Sequence, residues 1–357
     1  MKATLRQRST LVVAAVAPLI VLAACGGDGG GGGGTAGGDG ECGSASLRLS
    51  HQWPAASGGE GDFRAELAQQ FADKVAEKTD DQVKVQIFPG SSLVKSTEQY
   101  DAMTQGAVDM SVFPLDYASG RVPDFSVTLM PGLVRNHEQA QSWQDAEIGK
   151  RLEEVMDENG IKVLTWVWNA GAIGSKGAPV VSPDDVESGM TMRAAGKYVE
   201  GMLKDAGAGI SSLPSDEIYT AMQTGVLDAA VTSTGSFASY NLQEQVKSYT
   251  SPTENTFWFM FEPLIISNEA FDKLCPEQQQ ALESVGEELQ EFAYSASKED
   301  DTRVAQLFSN AGVEVTTMDD ATFDEWQKLA EKQWDAYAKS APHGQELMDL
   351  AKQASGK

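Results

Sequence analysis

Several side-chain chemistries are scarce in these 357 residues. Histidine occurs three times, as His51, His137 and His343, each isolated and without metal-ligand spacing to another candidate ligand. No metal cluster is expected from such a set. Cysteine also occurs three times, at positions 25, 42 and 275. Positive charge is short as well, with 27 Lys and Arg against 52 Asp and Glu, for a formal net charge of -25. A field of that sign repels nucleic acid and anionic lipid, and it leaves any anionic ligand to be held by a local cation. The sequence has no Gly-x-Ser-x-Gly, no Walker loop and no His-Glu-x-x-His, and nothing localises a Ser-His-Asp set. Beyond residue 46 no stretch reads as a membrane segment. These gaps point away from an enzyme and from any metal or cofactor, and toward a binding role.

The first residues carry a different message. Lys2, Arg6 and Arg8 precede an apolar run from Leu11 to Ala24 that is interrupted by Pro18. The run is too short and too early for a mature membrane span, and it reads as a secretory signal. It ends in Leu22-Ala23-Ala24-Cys25, which looks like a bacterial lipobox, so cleavage before Cys25 and acylation of its thiol are expected. Loss of the three cations takes the net charge from -25 to -28. Residues 25–46 are mostly glycine and read as a tether, whose coil of about twenty residues has an r.m.s. reach of roughly 25 Å. The protein is therefore expected outside the cytoplasm, anchored to the membrane through lipid alone. Cys42 and Cys275 are candidates for a disulfide, because two cysteines in an exported chain can pair.

An internal repeat organises the remaining chain. Residues 100–109 read Tyr-Asp-Ala-Met-Thr-Gln-Gly-Ala-Val-Asp and residues 219–228 read Tyr-Thr-Ala-Met-Gln-Thr-Gly-Val-Leu-Asp. In each copy a helix closes on glycine (Gly106, Gly225) and an apolar strand follows, Met110–Phe113 or Ala229–Val231. Upstream stand Val83–Pro89 in one copy and Gly209–Pro214 in the other. Elsewhere Leu47–Ser50 reads as a first strand, Phe63, Leu67, Phe71 and Val75 line one helical stripe, and Ile148–Glu158 is amphipathic before the strand Val163–Val167. Alternating strands and helices predict two lobes of α/β construction with mostly parallel sheets. From Pro276 to about Asn310 the apolar spacing is helical, and a helix of about 35 residues would be roughly 50 Å long, enough to lie across both lobes.

The chain resembles the solute-binding proteins of tripartite ATP-independent periplasmic (TRAP) transporters, the DctP family. The resemblance runs from about Leu47 to Gln333. It rests on Glu217-Ile218-Tyr219-Thr220-Ala221-Met222-Gln223-Thr224-Gly225-Val226-Leu227-Asp228 and on Gly189-Met190-Thr191-Met192-Arg193. Weaker support comes from Phe88-Pro89-Gly90-Ser91-Ser92-Leu93 and Val108-Asp109-Met110. It implies a two-lobed periplasmic-binding-protein-like fold with hinge strands and a long bracing helix. It also implies closure on an organic acid and delivery to membrane permease subunits. The expected division is a signal peptide at 1–24, a tether at 25–46, lobe I at 47–167 with about 256–295, and lobe II at 168–255 with about 296–357. In the family both Cys42 and Cys275 would fall on lobe I. The alternatives are an ABC-type binding protein, which would lack the long helix, and a module presenting ligand to a membrane receptor.

Arg193 is the foremost ligand-binding candidate. It stands at the C-terminal end of a strand, where α/β sheets bind ligands, and its planar fork matches a carboxylate. The resemblance assigns that contact to this arginine; the competing reading is a surface arginine paired with Asp184 or Asp185. A second arginine common in the family is missing from Trp166–Gly174, which argues for a monocarboxylate such as a 2-hydroxy, 2-keto or aromatic acid. Lys176 and Lys197 are the candidate cations to replace it. Trp53, Tyr117, Trp168, Asn169 and Trp258 fall at expected cleft edges, although buried core tryptophan is the commoner arrangement. Thr232 and Ser233 stand where the family has an amide. Asp116 is a candidate partner for Arg193 or for a ligand hydroxyl, with a solvated loop acid as the alternative.

Overall fold

A computed structural model describes residues 42–58 and 61–357. The expected signal peptide, Cys25 and the tether as far as residue 41 lie outside the described residues. Strand β1 (Ala45–Ser50), helix α1 (Phe63–Lys78) and strand β2 (Val83–Phe88) come first, then α2 (Gln99–Thr104) and β3 (Met110–Val112). Helices α3 (His137–Asp145) and α4 (Glu147–Glu158) lead to β4 (Ile161–Thr165) and β5 (Trp168–Ser175). A second series follows: β6 (Thr191–Ala194), α5 (Lys197–Asp205), β7 (Gly209–Ser212), α6 (Ile218–Gln223), β8 (Ala229–Ser233), α7 (Thr234–Ser239) and β9 (Ser248–Ser251). The remainder is β10 (Phe259–Phe261), β11 (Leu264–Ser267), α8 (Asn268–Asp272), α9 (Pro276–Glu288), α10 (Gln290–Asn310), β12 (Glu314–Thr317), α11 (Asp320–Ser340) and α12 (Gly344–Ala354).

These strands form two sheets, β2-β1-β3-β11-β4 and β12-β9-β5-β8-β6-β7, with β10 paired to β5. The parallel triplets β2-β1-β3 and β7-β6-β8 are the two copies of the repeat, and they match in register. Leu49 pairs Met110 and Ser50 pairs Ser111 in one; Met192 pairs Ala229 and Arg193 pairs Ala230 in the other. Both helices end alike, because Gly106 (φ 70°) and Gly225 (φ 77°) take the left-handed conformation that glycine adopts at least cost. The aspartate three residues later does the same task twice. Asp109 accepts from the backbone N–H of Arg48 at 2.7 Å, and Asp228 from that of Thr191 at 2.8 Å.

Two strands carry the chain between the sheets. The eight residues of β5 are all buried. Its start pairs with β10 and its end with β8 and β9, while β11 returns to pair with β3 and β4. Gly171 lets the ring of Trp258 lie directly on β5, since a Cβ there would fall 2.2 Å from the ring.

The helical segment after Pro276 is divided at Leu289 into α9 and α10, which differs from the single helix that the apolar spacing predicts. The division falls between two fixtures to the crossing segment. At Gly286 a Cβ would stand 2.2 Å from the Leu164 carbonyl oxygen. Gln290 pairs its amide with the N–H and C=O of Trp166 at 2.9 and 2.7 Å. Helix α9 packs on α1 and β4, whereas α10 reaches α7, β5 and β12, so the pair braces both sheets. The first strand begins at Ala45, inside the segment read as tether, and Cys42 just before it is joined to Cys275 by a disulfide with Cα atoms 5.8 Å apart. Helix α11 packs on α5, whereas α12 packs on α3 and α4 and so lies against elements of the first half of the chain.

Candidate functional site

The C-terminal ends of β1 and β3 in the first sheet and of β6 and β8 in the second come together across the molecule. Arg193, in β6, is buried, with 1% of its surface exposed. Its Nε donates to the Leu213 carbonyl at 2.9 Å, Nη1 to the Val231 carbonyl at 2.8 Å and Nη2 to the Tyr117 hydroxyl at 3.2 Å. A guanidinium has five N–H groups, so one on each terminal nitrogen is left over, the number a carboxylate accepts. No carboxylate stands within ion-pair distance of Arg193 among the described residues. Asp185 is engaged elsewhere, accepting from the N–H groups of Val181 and Ser182.

Tyr117 follows β3 and joins the two lobes, because its hydroxyl also accepts from the N–H of Ser215 at 3.1 Å. Its neighbour Asp116 is buried against the start of α5: a Cβ on Gly196 would lie 3.1 Å from the Asp116 carboxylate. Burial, aided by the charge of Glu200 and opposed by the Ser126 hydroxyl, pushes this carboxyl up to about 7. Asp116 is therefore a buried acid and not a solvated loop acid.

A second group centres on Arg64, which the sequence reading did not select. Its guanidinium is buried, pairs with Asp62 and Glu262 at 2.6 Å each, and lies 3.9 Å above the Trp53 ring. It also donates to Ser233 at 3.0 Å, and Ser233 is 2.8 Å from Ser236. The Trp53 indole N–H points to Ser236 at 3.4 Å, and Ser239 donates to Asp62 at 2.5 Å. Asn169 donates to Glu262 at 3.1 Å, leaving its Oδ1 without a partner. Burial works to raise Asp62, but Arg64 outweighs it and holds the carboxyl below its usual value. For Glu262 burial prevails over Arg64, and its carboxyl stays above its usual value. Position 64 looks like any polar residue at a helix start, whereas Glu262 had a visible signal as the one acid in the apolar run 257–267.

The structure thus brings Arg193 and Tyr117 into contact, with Asp116 beside them, and links Trp53, Ser233 and Asn169 through Arg64 and Glu262. Thr232 precedes Ser233 on β8 and is buried. Trp168 packs edge-on against Trp143 (5.2 Å) and beside Phe261 (5.0 Å). Trp258 lies on Gly171, and the indole N–H groups of both tryptophans are buried without a partner. Lys176 donates to the Met222 carbonyl at 2.9 Å and Lys197 lies over the Tyr198 ring, so both substitute cations are engaged elsewhere.

Two α/β lobes that face their strand ends across a buried, carboxylate-free arginine are built as a solute-binding protein, with binding and not catalysis as their work. The chain belongs to the DctP family, described as bacterial extracellular solute-binding protein, family 7, whose profile matches residues 55–340. It is an extracytoplasmic protein of the TRAP class. A solute-binding protein of Albidiferax ferrireducens is 44% identical over 311 residues, covering 87% of this chain and 92% of that protein. The crystal structure of a TRAP periplasmic solute-binding protein from Rhodoferax ferrireducens with bound malonate is similar at TM-score 0.84 and 44% identity, over 87% of this chain and 98% of that one. The C4-dicarboxylate-binding periplasmic protein DctP of Rhodobacter capsulatus is 27% identical, over 71% of this chain and 77% of that protein.

Proposed function

We propose that the chain captures a small organic monocarboxylate, such as a 2-hydroxy, 2-keto or aromatic acid, and delivers it to the permease subunits of a TRAP transporter. In this reading it is held at the membrane by lipid on Cys25. Lobe I is 47–167 with about 256–295, and lobe II is 168–255 with about 296–357. The observation that carries the ligand class is Arg193, a buried cation with two N–H groups to spare and no acid within ion-pair distance among the described residues. A buried unpaired charge is costly, and a closing cleft that brings one carboxylate to it removes that cost. The other buried arginine, Arg64, already faces two carboxylates, so a second ligand carboxylate finds no free partner in it.

The rival reading is a short dicarboxylate, favoured by the malonate bound in the 44%-identical relative. Calorimetric titration with lactate, pyruvate, 3-hydroxybenzoate, malonate, succinate and malate separates the two. Tighter binding of the monocarboxylates is expected. Tight succinate or malate binding with no response to the monoacids would overturn the proposal, and a preference for malonate would establish the rival. Incorporation of labelled palmitate into the wild-type chain and its loss in Cys25→Ala would test the anchor.

A further inference from the structure

Buried polar groups without partners are rare in folded proteins, and a cluster of them beside a binding cleft calls for a cause. Three such side chains gather at the C-terminal end of β1. Ser50 is fully buried with an unpartnered hydroxyl, and His51, 1% exposed, has no partner at either ring nitrogen. Gln99, the first residue of α2 and also 1% exposed, has an unpartnered amide nitrogen. The Ser111 hydroxyl lies 2.8 Å from the Ser50 carbonyl oxygen and 2.5 Å from the Gln99 amide oxygen, which ties Gln99 to the end of β1 and turns its NH2 away.

The internal repeat says where this cluster stands. Ser50 pairs Ser111 as Arg193 pairs Ala230, so Ser50 occupies in lobe I the strand position that Arg193 occupies in lobe II. The neighbouring loop closes the circuit between them. The His51 backbone carbonyl accepts from the N–H of Ser91, the hydroxyls of Ser91 and Ser96 reach Asp216, and the adjacent Ser215 meets Tyr117 on Arg193.

We propose that Ser50, His51 and Gln99 form a neutral polar wall that takes the end of the ligand remote from the Arg193-bound carboxylate, recognising a hydroxyl or carbonyl there in preference to a second carboxylate. This rests on the monocarboxylate reading and extends it. Gln99 offers N–H donors, Ser50 a hydroxyl that donates or accepts, and neutral His51 one donor and one acceptor. Burial, with Arg64 adding to it and Asp62 opposing, pushes His51 down to about 4, so the imidazole carries no charge at neutral pH. Sites built to hydrogen-bond a polar group discriminate against analogues that lack it, because their own groups are then stranded.

The test is calorimetry on matched acids: butyrate against 3-hydroxybutyrate and 3-oxobutyrate, and benzoate against 3-hydroxybenzoate. The wild-type protein is expected to prefer the oxygenated member of a pair by about tenfold or more. Gln99→Leu and His51→Phe, the latter keeping a ring on Trp53, should bring that preference below about threefold. Arg193→Lys should weaken both members equally and leave their ratio intact. An unchanged ratio in Gln99→Leu, or no preference in the wild type, overturns the wall. Unchanged affinities in Arg193→Lys overturn the carboxylate reading alone. If no acid of the set binds, both fall together.

Discussion

Arg193 and Asp116 are both buried polar residues beside Tyr117, and they call for opposite experiments. Arg193→Lys keeps the charge but loses the planar fork held by two backbone carbonyls and Tyr117. Losing a charge-assisted hydrogen bond costs about 1.5–3 kcal/mol, so affinity for the preferred acid should fall by at least about tenfold while the melting temperature of the free protein changes little. Undiminished affinity by calorimetry would place the carboxylate elsewhere. Asp116 bears on pH. A carboxyl raised to about 7 in the folded chain keeps a proton that the unfolded chain releases at its ordinary pKa of about 4. Its contribution to stability therefore falls as pH climbs between those values and levels off above them. Asp116→Asn removes that slope, so the variant should gain on the wild type from pH 4 to 7, by on the order of 3 kcal/mol, and no further beyond. Urea midpoints at pH 4.5, 6 and 8 read the difference directly; a pH-independent gap would show that Asp116 is ionised throughout.

At the scale of elements, the start of α1 is fastened to α7 by a charged knot. Asp62 and Arg64 belong to the first lobe, Ser233, Ser236 and Ser239 to the second, and Glu262 to the returning link between β10 and β11. Arg64→Ala strands two carboxylates whose side chains are 0% and 2% exposed, and removing one partner of a buried pair costs about 3–5 kcal/mol. A urea-unfolding loss below about 1 kcal/mol would show that water reaches the knot. Replacing all three by Met, Asn and Gln should recover most of the loss, because no charge is then left buried. The crossing strand offers a steric counterpart. Gly171→Ala drives a methyl into the Trp258 ring, and overpacking of that kind costs about 1–3 kcal/mol, measurable in the same assay. Apart from the lone acid at 262, the knot was not legible beforehand, because the Arg64–Glu262 ion pair and the hydrogen bonds to Ser233, Ser236 and Ser239 join residues 169 to 198 positions apart and leave no local pattern. The helical period of 276–310 was legible, but not its division at Leu289, which follows from contacts to Leu164 and Trp166 more than a hundred residues away.

At the scale of the whole molecule, the repeat was readable because its marks lie within ten residues of sequence: a glycine that ends a helix, an aspartate three residues later and the apolar strand that follows. From it follow the two sheets and the opposition of strand ends. Arg193 could be singled out because it ends segment 189–193, one of the motifs that carry the family resemblance. The polar wall at Ser50, His51 and Gln99 could not, since its mark is the lack of partners, which appears once the chain is folded. The disulfide between Cys42 and Cys275 spans 233 residues, and opening it with paired alanines should lower stability by about 2–4 kcal/mol, the usual yield of a native bridge. Thiol titration of the unfolded, non-reduced protein should leave both cysteines unreactive.

That bridge also sets a load path. Any pull arriving through the segment before residue 42 enters the folded body at Cys42, where it divides between the backbone of β1 and the covalent link to the head of α9. β1 lies inside its sheet between β2 and β3, so drawing it out would shear two ladders at once. The bridge sends part of that force into the helix pair that braces both lobes, and the strand end that carries Ser50 and His51 bears less of the tension.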